Sequence, residues 1–337
     1  MRYQKKVGGS EELKTPKVLV VGSLNMDLTL YGAEKVPALG ELVQCSNYAY
    51  ALGGKGANQA VALTKLGAEA VLVGRVGDDR NGKLLIDALK CHEINIKHVQ
   101  INREAQTGMA VICADSTGKS RLYGIPGANM TLAADGMQEI LKEEKPDMVL
   151  MQLEMPMQTA IETFQIAKTL GIPVFLDAGP AMKVPLEKFR EIMIISPNEA
   201  ETFAITGIQV TDTATAHRAA EYIFQNASPQ YVILKLGEHG AYLYDGEHGE
   251  LYPALKTKAV DSTAAGDTFN AAICFRLCQG ENIAKSIAFA NAAAAITVSR
   301  KGALLSIPTE TEVASLLSDY EKEKELPPEY LRPAIPA

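Results

Sequence analysis

The sequence predicts an α/β fold with a mostly parallel central sheet, helices on both of its faces and a small additional β-sheet. Three observations predict it. Short apolar runs at 18–21, 70–73, 148–151, 174–176, 192–195 and 232–234 read as strands buried on both faces. Helical patterns such as 82–90 and 156–170 separate them, and strands alternating with helices are the signature of crossover units around a parallel sheet. Two stretches break that rhythm, 28–52 and 107–124, where the residues alternate as in a half-exposed antiparallel sheet.

Along the chain, residues 1–15 are polar with little periodicity and are expected to form an N-terminal extension. The first strand then ends in Asn25-Met-Asp27. Side chains two apart on extended backbone face the same way, so Asn25 and Asp27 make one acceptor-rich edge at a strand's carboxyl end, where open α/β sheets bind ligands. An Asx turn suits the same pair.

Gly53-Gly54-Lys55-Gly56-Ala57-Asn58-Gln59-Ala60 follows the alternation of 43–52 and runs into a helical pattern. Adjacent glycines let backbone approach a ligand where a Cβ would collide. Lys55 offers a mobile positive charge for a phosphoryl group, and Asn58 can donate and accept toward hydroxyls. A flexible loop before a capped helix is the plain alternative. Gly77-Asp-Asp-Arg-Asn-Gly82-Lys83 has the spacing of a P-loop, but Leu84 stands where a magnesium-binding hydroxyl belongs. Gly118-Lys119-Ser120 fails too, because Cys113 replaces the leading glycine.

Further on, Glu154 ends a predicted strand just before Pro156, a position that also suits a charge leading a helix. Asn198 and Glu201 lie in an acid-rich helix start. Lys235-Leu236-Gly237-Glu238-His239-Gly240 follows a strand as a glycine turn. The most informative run is Asp261-Ser-Thr263-Ala264-Ala265-Gly266-Asp267-Thr-Phe, two carboxylates around a small-residue turn that opens a helix. Ala264, Ala265 and Gly266 leave the orphan N–H groups of a helix start accessible to a phosphate, and Asp267 beside them can take a proton from a hydroxyl. A strand end, a glycine turn and an N-cap would use the same residues. The Pro-rich segment 321–337 is expected to be a C-terminal tail.

Composition limits the function classes. The 337 residues are 47% hydrophobic, ample for a large core, and no apolar stretch approaches the roughly 20 residues that span a bilayer. The start lacks a secretory core, so a cytoplasmic protein with no membrane partner is expected. A net charge of −7 without a basic stripe argues against nucleic acid. Five cysteines without a Cys-x-x-Cys pair fit a reducing compartment, and Cys274 and Cys278, four apart on a helix, read as small core residues rather than a metal site. The five histidines show no metal-ligand spacing and lie away from the segments at 25–27, 53–60 and 261–269, and no G-x-S-x-G elbow supports a hydrolase.

Taken together, the segments at 25–27, 53–60 and 261–269 resemble the ribokinase family of sugar kinases, in order and from about 18 to about 308. The resemblance implies a three-layer fold in which 16–320 form one kinase domain, with a β lid at about 26–52 and 107–124 over the sugar and lid sheets that pair two chains into a homodimer. It implies ATP-dependent phosphorylation of D-ribose at its 5-hydroxyl, with Asp267 as base and Ala264, Ala265 and Gly266 as an anion hole. The sugar would be held by Asn25, Asp27, Glu154, Asp267 and the segment Gly54, Lys55, Gly56, Ala57 and Asn58. ATP would lie on Asn198, Lys235, Leu236, Gly237, Glu238, His239, Gly240, Gly266 and Asp267, with Asn291 beside the adenine. Mg²⁺ accompanying ATP would be held near Glu201 through water. K⁺ would be held by Asp261, Thr263, Thr297, Arg300, Gly302 and Ser306, chiefly through backbone oxygens.

A nucleoside kinase of the same fold would want an aromatic pocket, which the absence of Trp and 6% aromatic content disfavour. A non-catalytic sugar-binding protein would be expected to lose Asp267 or the small-residue turn, and both are intact.

Overall fold

The computed structural model describes residues 15–35, 37–115 and 120–322. Of the expected extensions, 1–14 and 323–337 lie outside the described residues, as do 116–119 of the expected turn, whereas Glu321 and Lys322 end the last helix, Glu310–Lys322, rather than begin a tail. The large sheet contains β1 (Lys17–Val21), β4 (Glu69–Gly77), β5 (Asn95–Asn102), β8 (Met148–Met151), β9 (Val174–Asp177), β10 (Ile194–Ser196), β11 (Tyr231–Lys235), β12 (Ala241–Tyr244) and β13 (Gly249–Tyr252). Its order is β13-β12-β11-β10-β9-β8-β1-β4-β5, with β5 through β11 parallel and the β12–β13 hairpin antiparallel at one edge. The smaller sheet has the order β3-β2-β6-β7, from β2 (Asn25–Ala33), β3 (Asn47–Gly53), β6 (Gly108–Asp115) and β7 (Ser120–Ile125).

All six apolar runs expected as strands lie in or beside the large sheet; the run at 192–195 is shortened to β10, with buried Ile192 preceding it. Alternation along β1 divides the core: Val18 and Val20 face one apolar cluster, and Leu19 and Val21 face the other. The first cluster is closed by α1 (Lys55–Lys65), α2 (Arg80–Cys91), α7 (Ala265–Cys278), α8 (Ile283–Val298) and α9 (Glu310–Lys322). The second lies under α3 (Met137–Glu144), α4 (Met157–Thr169) and α6 (Thr213–Ala227). Cys274 is buried against the Met148 sulfur, as a small core residue should be.

The lid sheet corrects one expectation. It is not wholly antiparallel, because β2 pairs with β6 in parallel while β3 and β7 flank them antiparallel. Both central strands leave the carboxyl side of the large sheet in the same direction, β2 after β1 and β6 after β5, so they can only run side by side.

Helix α1 positions the site. It starts after Gly54, whose φ of 89° is the left-handed backbone that glycine adopts without penalty. Gly56, Ala57 and Ala60 are buried there, and such small residues let α1 approach α7 and the loop after β1 closely. A Cβ at Gly56 would stand 2.7 Å from the Gly22 carbonyl carbon and 2.8 Å from Ser23 N. Backbone cannot give way as a side chain can, so Gly56→Ala is expected to cost roughly 1–3 kcal/mol. Chemical denaturation checks this, and an unchanged midpoint would contradict the close approach.

Candidate functional site

The motif residues converge at the carboxyl edge of the large sheet. Asp267 stands in the first turn of α7 and is 6% exposed. Its Oδ2 accepts from Asn58 Nδ2 at 2.8 Å, and its Oδ1 from Gln59 Nε2 at 3.1 Å. Burial raises the Asp267 carboxyl; Lys55 opposes this and the Asp177 charge adds to it, so the net displacement is upward. A buried carboxylate displaced this way is suited to taking a proton.

Helix α7 opens on the small-residue turn that the sequence predicts, with one difference. Ala264 has a φ of 63° and offers no side-chain cap. The Ala265 N–H, expected to be available, donates to Ser262 O at 3.2 Å, because the turn into the helix closes on it. The Gly266 N–H has no such backbone acceptor. A Cβ placed on Gly266 would meet nothing nearer than Lys235 Cδ at 3.9 Å and Nζ at 4.0 Å, so the space over this turn is open and edged by an ammonium.

Asn25 and Asp27 do not end the first strand as expected: β1 stops at Val21 and they open β2 of the lid sheet, where they still share a face, as the spacing predicts. Asn25 is oriented by Asn129, whose Nδ2 donates to Asn25 Oδ1 at 2.7 Å, and Asn25 Nδ2 reaches Glu154 Oε2 at 3.4 Å. Ser23 Oγ donates to the same Glu154 oxygen. Burial, with Glu154 and then Asp267 adding like charge, pushes the Asp27 carboxyl up to about 7. Asn58 Oδ1 is buried and has no protein partner, an acceptor left for a donor that the protein does not supply.

Lys55 is not the free arm that the sequence suggests. It lies 3.3 Å from Asp177 Oδ2 and 3.9 Å from Asp267 Oδ1. Burial works against its charge, but Asp177, Asp267, Glu201 and Glu154 hold the ammonium well above its ordinary value. Gly179 covers it closely enough that a Cβ there would come within 2.8 Å of Lys55 Cε. Lys235 likewise turns inward from the glycine turn, 2.5 Å from Asp177 Oδ1 and 3.8 Å from Glu201 Oε2. Glu201 and Asn198 cap α5 (Glu199–Thr206) reciprocally, so the helix-start reading holds while Glu201 still faces Lys235.

Gly237–His239 form a short 3-10 turn closed by the Leu236 N–H to Gly240 O bond, with Glu238 and His239 exposed. Asn291, on α8, donates to the Tyr252 and Pro253 carbonyls at 3.2 Å. The 261–306 residues also assemble. Asp261 Oδ1 accepts from the Thr263 N–H and hydroxyl, and Oδ2 from Gly302 N at 2.9 Å; burial opposes its charge, yet these bonds keep it below the usual carboxylate range. Arg300 N donates to Thr297 O, and the hydroxyls of Thr297 and Ser306 are turned back onto Ala293 and Ala303 carbonyls.

A profile described as pfkB family carbohydrate kinase matches residues 15–310. The chain belongs to this family. It is 35% identical over 302 residues to a ribokinase from Haemophilus influenzae, covering 88% of this chain and 97% of that one. It is 33% identical over 313 residues to a bifunctional ribokinase/ribose-5-phosphate isomerase A from Fructilactobacillus sanfranciscensis, covering 91% of this chain but only 57% of that longer protein. Among solved structures it is similar to an Arabidopsis thaliana ribokinase complexed with ribose and ATP, with a TM-score of 0.82, 33% identity, and 90% and 99% of the two chains covered.

For this pfkB-family chain, sequence reasoning missed Asp177, Gln59, Gln152 and Asn129. Gln59 stood in a quoted motif without a role, and Asp177 ends an apolar strand, the one signal that could have found it.

The Asp27 carboxyl gives a stability prediction. A group whose folded value lies above its unfolded value binds its proton more tightly in the folded state, so its contribution is full below about pH 4 and is lost as pH rises through about 7. Asp27→Asn, neutral throughout, should therefore be the more stable protein at pH 8, by on the order of 2 kcal/mol after solvent screening, and gain nothing at pH 4. Thermal melts at the two pH values check this; a gain of equal size at both would contradict it.

Proposed function

We propose that this chain is a ribokinase: it transfers the γ-phosphoryl group of ATP to the 5-hydroxyl of D-ribose, giving D-ribose 5-phosphate and ADP. The observation that carries the reading is the position of Asp267, a buried carboxylate held by two amides in the first turn of a helix whose start is open to a phosphate. The family and the ribokinase relatives support the substrate.

In this reading Asn25, Asp27 and Glu154 form one wall of the sugar site, Asn58 Oδ1 accepts from a sugar hydroxyl, and the Gly54–Asn58 backbone closes on the ring. Asp267 takes the proton of the 5-hydroxyl as its oxygen attacks the γ-phosphorus in line and the bond to the ADP oxygen breaks. The Gly266 N–H, with Ala264 of the same turn, steadies negative charge on the transferring group, a contribution of about 3 kcal/mol for each well-placed donor; the Ala265 N–H is turned onto Ser262 O and is not one of them. Lys235 borders the same space and offsets that charge, with Lys55 beside Asp267 contributing to the same field. ATP runs outward over Lys235–Gly240, with Asn198 near its phosphates and Asn291 toward the base.

The donors present fit two cations. Glu201 is a buried carboxylate beside Lys235, suited to holding Mg²⁺ through water, and Mg²⁺ supplies charge neutralisation across the outer phosphates. Asp261, kept ionised, with the backbone oxygens of the adjoining loop, is an oxygen-rich set of the kind K⁺ takes. The working unit is one kinase domain over 16–320, in the cytoplasm. Its homodimer would form through the lid face opposite Asn25 and Asp27, where Tyr48, Tyr50, Tyr123 and Ile125 are exposed. Among the described residues no helix is long and apolar enough to cross a membrane.

ADP release with MgATP and K⁺ across D-ribose, 2-deoxyribose, fructose, adenosine and pseudouridine tests the substrate, and preference for a nucleoside would overturn it. Asp267→Asn should bind ribose nearly as the wild type does and turn over about 10²-fold more slowly or worse. Undiminished turnover in that variant would remove the assigned base.

A further inference from the structure

Asp177 lies at the end of β9, is fully buried, and belongs to no motif. Three donors converge on it: Lys235 Nζ on Oδ1 at 2.5 Å, and both Lys55 Nζ at 3.3 Å and Gln59 Nε2 at 2.9 Å on Oδ2. Two of the three also face the base, since Lys55 is 3.9 Å and Gln59 3.1 Å from Asp267 Oδ1. Gln59 cannot turn away to favour either carboxylate, because Gln152 Nε2 donates to its Oε1 at 2.5 Å and fixes the amide.

A base serves only while it keeps a lone pair for the incoming hydroxyl. An ammonium in direct contact would occupy that lone pair and lower the basicity of the carboxylate. Lys55 is near enough to Asp267 to do this, and what holds it at the longer distance is its closer contact with Asp177. The same carboxylate holds Lys235, whose ammonium edges the open space over Gly266 where the transferring group would lie.

We infer that Asp177 is a positioning residue: by engaging Lys55, Lys235 and Gln59 it keeps the base Asp267 free of a cation and holds the Lys235 ammonium at the edge of the phosphate path. The inference rests on the ribokinase reading for its substrates. It assigns Asp177 no contact with sugar or nucleotide, so its role is exercised in turnover rather than in binding.

The test compares Asp177→Asn and Asp177→Glu with wild type in steady-state kinetics at saturating and limiting MgATP and ribose, expressed per folded molecule. In Asp177→Asn, Lys55 closes on Asp267, so kcat should fall about 10²-fold, the share carried by general-base catalysis. The KM for ribose should stay within threefold and the KM for MgATP should not rise, since the phosphate site has lost a negative charge. Asp177→Glu keeps the charge on a longer arm, and its kcat should fall between the two.

A kcat within twofold of wild type in Asp177→Asn, or a loss expressed as raised KM for both substrates, would overturn the inference and leave Asp177 as a structural ion-pair partner. If Asp177→Asn does not fold, Asp177→Glu decides: a kcat equal to wild type overturns the inference, and a tenfold loss at unchanged KM supports it. Wild-type turnover of ribose separates this outcome from the substrate reading, because a wild type inactive on ribose fails that reading first.

Discussion

Packing of α1 against α7 is the contact on which the centre depends. Asn58 and Gln59 reach Asp267 only because the first turn of α1 is made of glycine and alanine and lies against backbone rather than side chains. Both helices start at the carboxyl edge of the sheet, so the close approach that buries Ala57 and Ala60 also aligns a carboxylate with two amides. The fold and the chemistry thus share one constraint, and a single methyl at Gly56 would act on both.

Charge is the second constraint. Asp27, Glu154, Asp177, Glu201 and Asp267 gather around Lys55 and Lys235, leaving carboxylates in excess. Burial penalises the charges of Asp27, Lys55, Asp177 and Asp267, and the outcome differs by neighbour. Asp177, with two ammonium groups, stays below the usual carboxylate range, whereas Asp27, facing only other acids, rises to about 7. The surplus of negative charge is what would favour a divalent cation arriving with a nucleotide.

Much of this was legible in the sequence. The apolar runs gave the parallel strands because strands buried on both faces leave continuous apolar stretches, and the glycine-rich and Asp-flanked motifs marked the two helix starts. The edge strands β13 and β5 are not among the expected strands because they are covered on one face and carry a weaker pattern, and β12 is a fully buried but four-residue run, Ala241-Tyr-Leu-Tyr244. The parallel β2–β6 pairing depends on which strands leave the large sheet side by side, a property of topology rather than of local residues. Asp177 and Gln152 escaped for a related reason, since their roles come from partners 118 and 93 residues away in the chain. Lys55 was read as mobile because a sequence shows a charge and not the carboxylate that restrains it.

The assignment of Asp267 as the group that receives the sugar proton is tested by a crystal structure with D-ribose and a non-hydrolysable ATP analogue. The ribose 5-oxygen should lie within about 3 Å of an Asp267 oxygen, on the side facing the γ-phosphate, with Lys55 still on Asp177. A 5-oxygen directed away from Asp267, or Lys55 interposed between them, would contradict it.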